Sequence, residues 1–154
     1  MKSLQQWLSE YGESHQNETN KLIHWICVPC ILFSVSGLLY AIKLPFYFSG
    51  HHLNLGFIVI GLLIVYYFFL SRSLWVGLMI FEIVGLSMCN IIEITRVFPL
   101  WIFCLVIFVL AWIGQFIGHK IEGKKPSFFK DLQFLLIGPA WLMNFIYEKL
   151  EIKV

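Results

Sequence analysis

The sequence predicts an all-α integral membrane protein, with four transmembrane helices followed by a C-terminal amphipathic or re-entrant helical segment. Three observations carry that expectation. Of 154 residues, 59% are apolar and 13% charged, and the mean hydropathy is +0.80, outside the habit of soluble domains. The apolar residues gather into runs of roughly twenty, and at about 1.5 Å per helical residue such a run crosses about 30 Å of hydrocarbon. Short polar breaks divide the runs, and the basic residues fall mainly on one side of the resulting thread.

Taken in order, the opening "MKSLQQWLSEYGESHQNETN" is polar and offers no apolar run for a cleavable signal peptide. Residues 22–42 form the first expected span. The break "KLPFYFSGHHLN" carries Pro45, Gly50, His51 and His52 and is expected as a loop. Spans at 53–70 and 74–94 follow, divided by the polar turn "SRS" and with Glu82 inside the second of them. After "EITRVFP" comes a fourth span at 98–117. The tail, 132–152, is apolar but is interrupted by Gly138-Pro139 and punctuated by Gln133, Asn144, Glu148 and Lys149. That pattern favours an amphipathic or re-entrant segment over a fifth span.

Charge orients the thread. With four crossings, Lys2, Lys21, Arg72, Lys120, Lys124, Lys125, Lys130, Lys149 and Lys153 share one side, against Lys43 and Arg96 on the other. Nine against two is a positive-inside bias that puts both termini in the cytoplasm, of a bacterial inner membrane or of an endoplasmic reticulum. The sequon "NET" at Asn17 then stays unglycosylated. A net charge of +2 gives no footprint for nucleic acid. No internal repeat or low-complexity tract divides the chain, so residues 1–154 form a single membrane domain.

Polar groups kept near a bilayer mark candidate sites, because a charge at a helix centre costs on the order of 3 kcal/mol by insertion scales. In "WIGQFIGHKIEG", Gln115, His119 and Glu122 are spaced by four and then three residues, one face of a continued helix. An interfacial polar stripe with no further task explains that set equally well. The N-terminal "YGESHQNETNKLIH" places Tyr11 four before His15 and Asn20 four before His24. The two histidines are nine apart and would oppose each other on one straight helix, so a shared centre requires a bend, for which "QNETN" supplies turn and cap residues. An even span count brings His15, His24 and His119 to the same cytoplasmic face. Three imidazoles with a nearby carboxylate suit Fe, Zn, Cu or Ni, although residues at one face need not be neighbours.

Other groups read more simply. Cys27 and Cys30 form a C-x-x-C inside an apolar run, lacking the βαβ setting of a redox dithiol, and are expected as packed thiols. Cys89 and Cys104 read as small hydrophobes. Glu82 is either an ion-pathway group or a carboxyl group bonded between helices.

The residues carrying the polar pattern also carry a resemblance. "YGESHQNETNKLIHWICVP", with Tyr11, His15, Asn20, His24 and Pro29, resembles the opening signature of the Mpo1-like family. "WIGQFIGHKIEGKKPSF", with Gln115, His119, Glu122, Gly123 and Pro126, is similar to its second signature, and "LIGPAW" around Pro139 to its closing segment. Cys27 departs from the small residue usual at its position, and "AWLMNFIYE" does not follow the usual acidic ending. The resemblance implies an Fe(II)-dependent dioxygenase of fatty acid α-oxidation that converts a 2-hydroxy fatty acid and O2 to an acid one carbon shorter, without 2-oxoglutarate. It implies His15, His24 and His119 as metal ligands, and Glu122 as a fourth ligand or as the acceptor that fixes a histidine tautomer. Glu122 and Tyr11 are the candidate catalytic groups, with Asn20, Gln115, Lys124 and Lys125 as candidate substrate-binding groups. Two other readings compete: a small transporter or lipid-binding protein whose histidines and Glu82 carry protons or ions, and a zinc-dependent membrane enzyme. A transporter should keep its polar residues deep in repeated, broken spans; here they sit at one face.

Overall fold

The structure is a computed structural model that describes residues 2–48, 51–123 and 128–154. Helix α1 (Leu4–Gly12) opens on a capping box: the Ser3 hydroxyl accepts the Gln6 N–H at 3.3 Å, and the Gln6 side chain accepts the Ser3 N–H at 2.8 Å. Two orphan donors of the helix start are thereby satisfied together. The chain breaks after Gly12 and restarts at α2 (Glu18–Ala41), where the Asn17 carboxamide accepts the N–H groups of Thr19 and Asn20 at 2.9 and 3.3 Å.

Four long helices then alternate in direction. Helix α2 carries His24 near its start and Tyr40 near its end; α3 (Leu55–Leu70) begins beside Tyr40 and ends near Tyr67. Helix α4 (Leu74–Thr95) starts against Tyr67 and finishes where Glu93 meets Lys43. Helix α5 (Leu100–Glu122) returns from Tyr40 to the histidine end. Among the described residues α2, α4 and α5 are long and apolar enough to cross a membrane, whereas α3 has 16 residues, about 24 Å of rise.

The expected loop after α2 is instead an antiparallel hairpin, β1 (Lys43–Phe48) with β2 (His51–Asn54). Leu44, Phe46 and Tyr47 favour extended backbone, and the ladder loses its register between Lys43 and Tyr47, the stretch in which Pro45 has no N–H to give. His52 stands in this hairpin, bonded to the Tyr47 hydroxyl at 2.5 Å. The side chain of His51 lies outside the described residues.

Helices α2 and α5 form the main seam, antiparallel and close. Gly118 lies under Asn20, Gly114 under Cys27 and Gly37 under Cys104, and a Cβ on Gly114 would come within 2.6 Å of the Cys27 sulfur. Small residues at the crossing are how helices in lipid gain packing that apolar surroundings do not otherwise supply. The surface is inverted relative to a soluble protein: Leu62, Phe69, Ile91 and Leu110 are exposed, while His15, Asn20, His24, Ser34 and Glu82 are buried.

Helix α6 (Phe128–Lys149) lies against the histidine end. Its neighbours are Tyr11, Val28, Tyr67, Leu74 and Gly77. Pro139 has no N–H for the carbonyl four residues back and opens the helix there; next to that gap the Leu136 carbonyl accepts the Tyr67 hydroxyl at 2.7 Å. Farther on, the Tyr147 hydroxyl donates to the Ser73 carbonyl at 3.1 Å and accepts the Gly77 N–H at 3.0 Å, pinning α6 to the start of α4.

Candidate metal centre

Three segments deliver the three imidazoles. His15 comes from the break between α1 and α2, His24 from the second turn of α2, and His119 from the last turn of α5, which Gly123 closes at φ 72°. A left-handed residue at that position favours glycine, and its N–H caps the His119 and Lys120 carbonyls. The break between α1 and α2 is what lets His15 and His24 face one another.

The ring centroids are 4.2 Å apart for His15 and His24, 5.1 Å for His24 and His119, and 5.5 Å for His15 and His119. One nitrogen from each ring lies within 4.8 Å of the other two. Three donors on a common ion at about 2.1 Å stand about 3.4 Å apart in a tetrahedral set, so the rings must close by up to about 1.4 Å to share an ion.

The backbone fixes which nitrogens face inward. His15 Nδ1 is 2.6 Å from the Tyr11 carbonyl and His24 Nδ1 is 2.9 Å from the Asn20 carbonyl. A carbonyl only accepts, so both Nδ1 atoms carry the proton and both Nε2 atoms present a lone pair. The Nε2 of His24 is fully buried and makes no well-formed hydrogen bond among the described residues, with the Gln115 side chain as its polar neighbour. A buried lone pair left without a donor costs free energy, and a bound cation is the partner that removes that cost. The donor set therefore fits a divalent transition metal.

The surroundings hold the rings in place. Tyr11 stacks on His15 at 4.2 Å and 9°, and Trp141 of α6 stands 5.5 Å from the same ring. Asn20 has no exposed surface; its amide donates to the Ser14 carbonyl at 3.2 Å and to Glu122 at 3.0 Å. Gln115 is buried beside His24.

Glu122 occupies a position that spacing did not reveal. Its two carboxylate oxygens accept the Gln16 N–H at 2.8 Å, the Asn17 N–H at 3.0 Å and the Asn20 amide. The group of converging donors consists of the three histidines; Glu122 ties the segment bearing His15 and His24 to the helix bearing His119. Lys124 and Lys125 lie outside the described residues. Cys27 is buried, Cys30 half-buried, and both are free thiols. Glu82 is buried facing Ser36 in the bundle and apart from the histidines.

An inverted helical bundle with three imidazoles gathered at one end defines a class: a membrane-type protein with a polyhistidine cluster of which two rings are buried and one is half-buried. The chain belongs to the Mpo1-like family, whose model, described as 2-hydroxy-palmitic acid dioxygenase Mpo1-like, matches residues 1–150. It is 31% identical over 150 residues to the 2-hydroxy-palmitic acid dioxygenase MPO1 of Saccharomyces cerevisiae, covering 94% of this chain and 80% of that protein. No solved structure matches it.

Proposed function

We propose that the protein is an Fe(II)-dependent dioxygenase of fatty acid α-oxidation, converting a 2-hydroxy fatty acid and O2 to a fatty acid one carbon shorter. The observation that carries this reading is the convergence of His15, His24 and His119, two with Nδ1–H groups tied to backbone carbonyls, in a chain related to a 2-hydroxy-palmitic acid dioxygenase. These histidines would hold the iron. Iron held there would supply the one-electron chemistry that lets O2 react with an organic substrate.

The chain's own residues do the rest. The Tyr11 and Asn20 carbonyls keep protons on the outer nitrogens and the lone pairs inward. Tyr11 and Trp141 wall the His15 side against water. Neutral imidazoles add no negative charge, which leaves the centre attractive to a substrate carboxylate. Glu122 braces the ligand-bearing segments, and Gln115 and Asn20 orient the polar surroundings; Lys124 and Lys125, which follow Gly123 in the sequence, are the proposed contacts for the carboxylate. A centre at the end of the bundle lets the acid group reach it while the acyl chain stays in an apolar setting, at about 0.8 kcal/mol per buried CH2.

With O2 as the sole oxidant, the balance is R–CH(OH)–COOH + O2 → R–COOH + CO2 + H2O, with no 2-oxoglutarate required. The alternating directions of α2 to α5 support four crossings with both termini on one side, α3 being the short member, and the bias of basic residues is what favours the cytoplasm for that side. The test is anaerobic incubation of detergent-purified, Fe(II)-loaded protein with 2-hydroxypalmitic acid, then O2 and mass spectrometry. A C15 acid formed only with both iron and O2, at one O2 per acid, is the expected result. No shortened acid from protein of verified iron content overturns the reading.

A further inference from the structure

A second feature lies at the other end of the bundle. Tyr40, which borders it, is sixteen residues beyond His24 on α2, about 24 Å along the helix. Here the hairpin, the end of α2, the start of α3 and the second half of α4 border an open cavity of about 970 Å³, large enough for a sizeable ligand group. It takes no part in the histidine site.

Its lining is divided. Phe57, Ile83 and Ile94 make an apolar wall, and all three are substantially exposed on the outside of the bundle, so the cavity opens sideways onto the surface that lipid would cover. Lys43, Arg96 and Glu93 make a charged rim. Lys43 bonds Glu93 at 2.7 Å and lies 4.2 Å above the Tyr40 ring. Arg96 ends α4 in a left-handed conformation, φ 50°, and among the described residues no ion pair engages it. Two cations against one carboxylate leave the rim net positive. Asn90 also lines the cavity, its amide oxygen already accepting from the Tyr40 hydroxyl at 3.3 Å.

We propose that this cavity binds the headgroup of an anionic phospholipid, with the phosphate at Arg96 and Lys43 and the acyl chains along the Ile83 and Ile94 face of α4. A guanidinium with no ion pair among the described residues offers the fork that suits phosphate. The lateral apolar opening selects an amphiphile over a free anion. Glu93 sets the limit: it neutralises one cation and weakens the site while it holds the hairpin to α4.

The test is native mass spectrometry of the whole chain in a nonionic detergent, titrated with phosphatidylglycerol or with phosphatidylcholine of the same acyl composition. Phosphatidylglycerol should bind about tenfold tighter, since each basic side chain near an anionic headgroup contributes several-fold. Arg96→Gln should remove most of that preference, and Glu93→Gln should increase it, both leaving the histidine end untouched. Equal binding of the two lipids overturns the proposal, as does a shift in the same direction in both variants, which would reflect a structural effect. Displacement by inorganic phosphate at equal concentration overturns the lipid assignment in favour of a free anion, and displacement by 2-hydroxypalmitate does so in favour of a fatty acid.

Discussion

Replacing Glu122 separates a brace from a ligand. The carboxylate accepts three hydrogen bonds, at 2.8, 3.0 and 3.0 Å. Bonds to a charged acceptor contribute about 1.5–3 kcal/mol each when buried, but the Gln16 and Asn17 amides are reachable by water, which recovers most of their share. Asn20 is fully buried and keeps its bond to the Ser14 carbonyl, so its loss is partial. The net cost of Glu122→Ala is therefore about 1–2 kcal/mol, spent on letting residues 15–24 drift from His119. Because all three histidines must meet at once, that drift appears as metal affinity lowered about 5–30-fold, close to the range found for groups that orient ligands. Glu122→Gln, which keeps one acceptor oxygen but sets an NH2 group against a backbone N–H, should fall between. The assay is chelator competition with Co(II), whose visible absorption reports its ligands. The variants should weaken binding and leave the band positions unchanged. A shifted Co(II) spectrum would make Glu122 a ligand, and wild-type affinity in Glu122→Ala would refute the brace.

Substituting His15, His24 or His119 by Ala should each remove stoichiometric metal, read by elemental analysis, and abolish turnover, whereas Cys27→Ser with Cys30→Ser should leave both largely intact. At the helix seam, Gly114→Ala would set a Cβ 2.6 Å from the Cys27 sulfur and should destabilise the protein by about 1–3 kcal/mol; adding Cys27→Ala should return most of that loss in thermal unfolding. Tyr147→Phe removes the link between the Gly77 N–H and the Ser73 carbonyl and should cost about 1 kcal/mol, measured as faster proteolysis near the start of α4 with metal content preserved.

What the sequence makes legible is decided by whether a signal is local. Periodicity puts Gln115, His119 and Glu122 on one helix face, and the nine-residue offset of His15 and His24 already demands the break that the Asn17 cap supplies. These depend on spacing within one segment, where 3.6 residues per turn leaves little freedom. The Glu122 clamp joins residues more than a hundred positions apart, and no spacing rule reaches that far. Its carboxylate beside three histidines suggests a ligand, because the same residue type serves both tasks and only the positions of two backbone N–H groups distinguish them. The hairpin is concealed for the opposite reason. "KLPFYFSGHHLN" carries Pro, Gly and polar residues that mark a loop, and its extended pairing is set by what it packs on: Lys43 reaches Glu93, and Asn54 caps α3 through Phe57 N–H. The cavity beneath it follows from that pairing. Arg96 and Lys43 count in the sequence only as the two cations on the side that positive-inside reasoning leaves nearly empty, and only the fold brings both to the rim of one cavity.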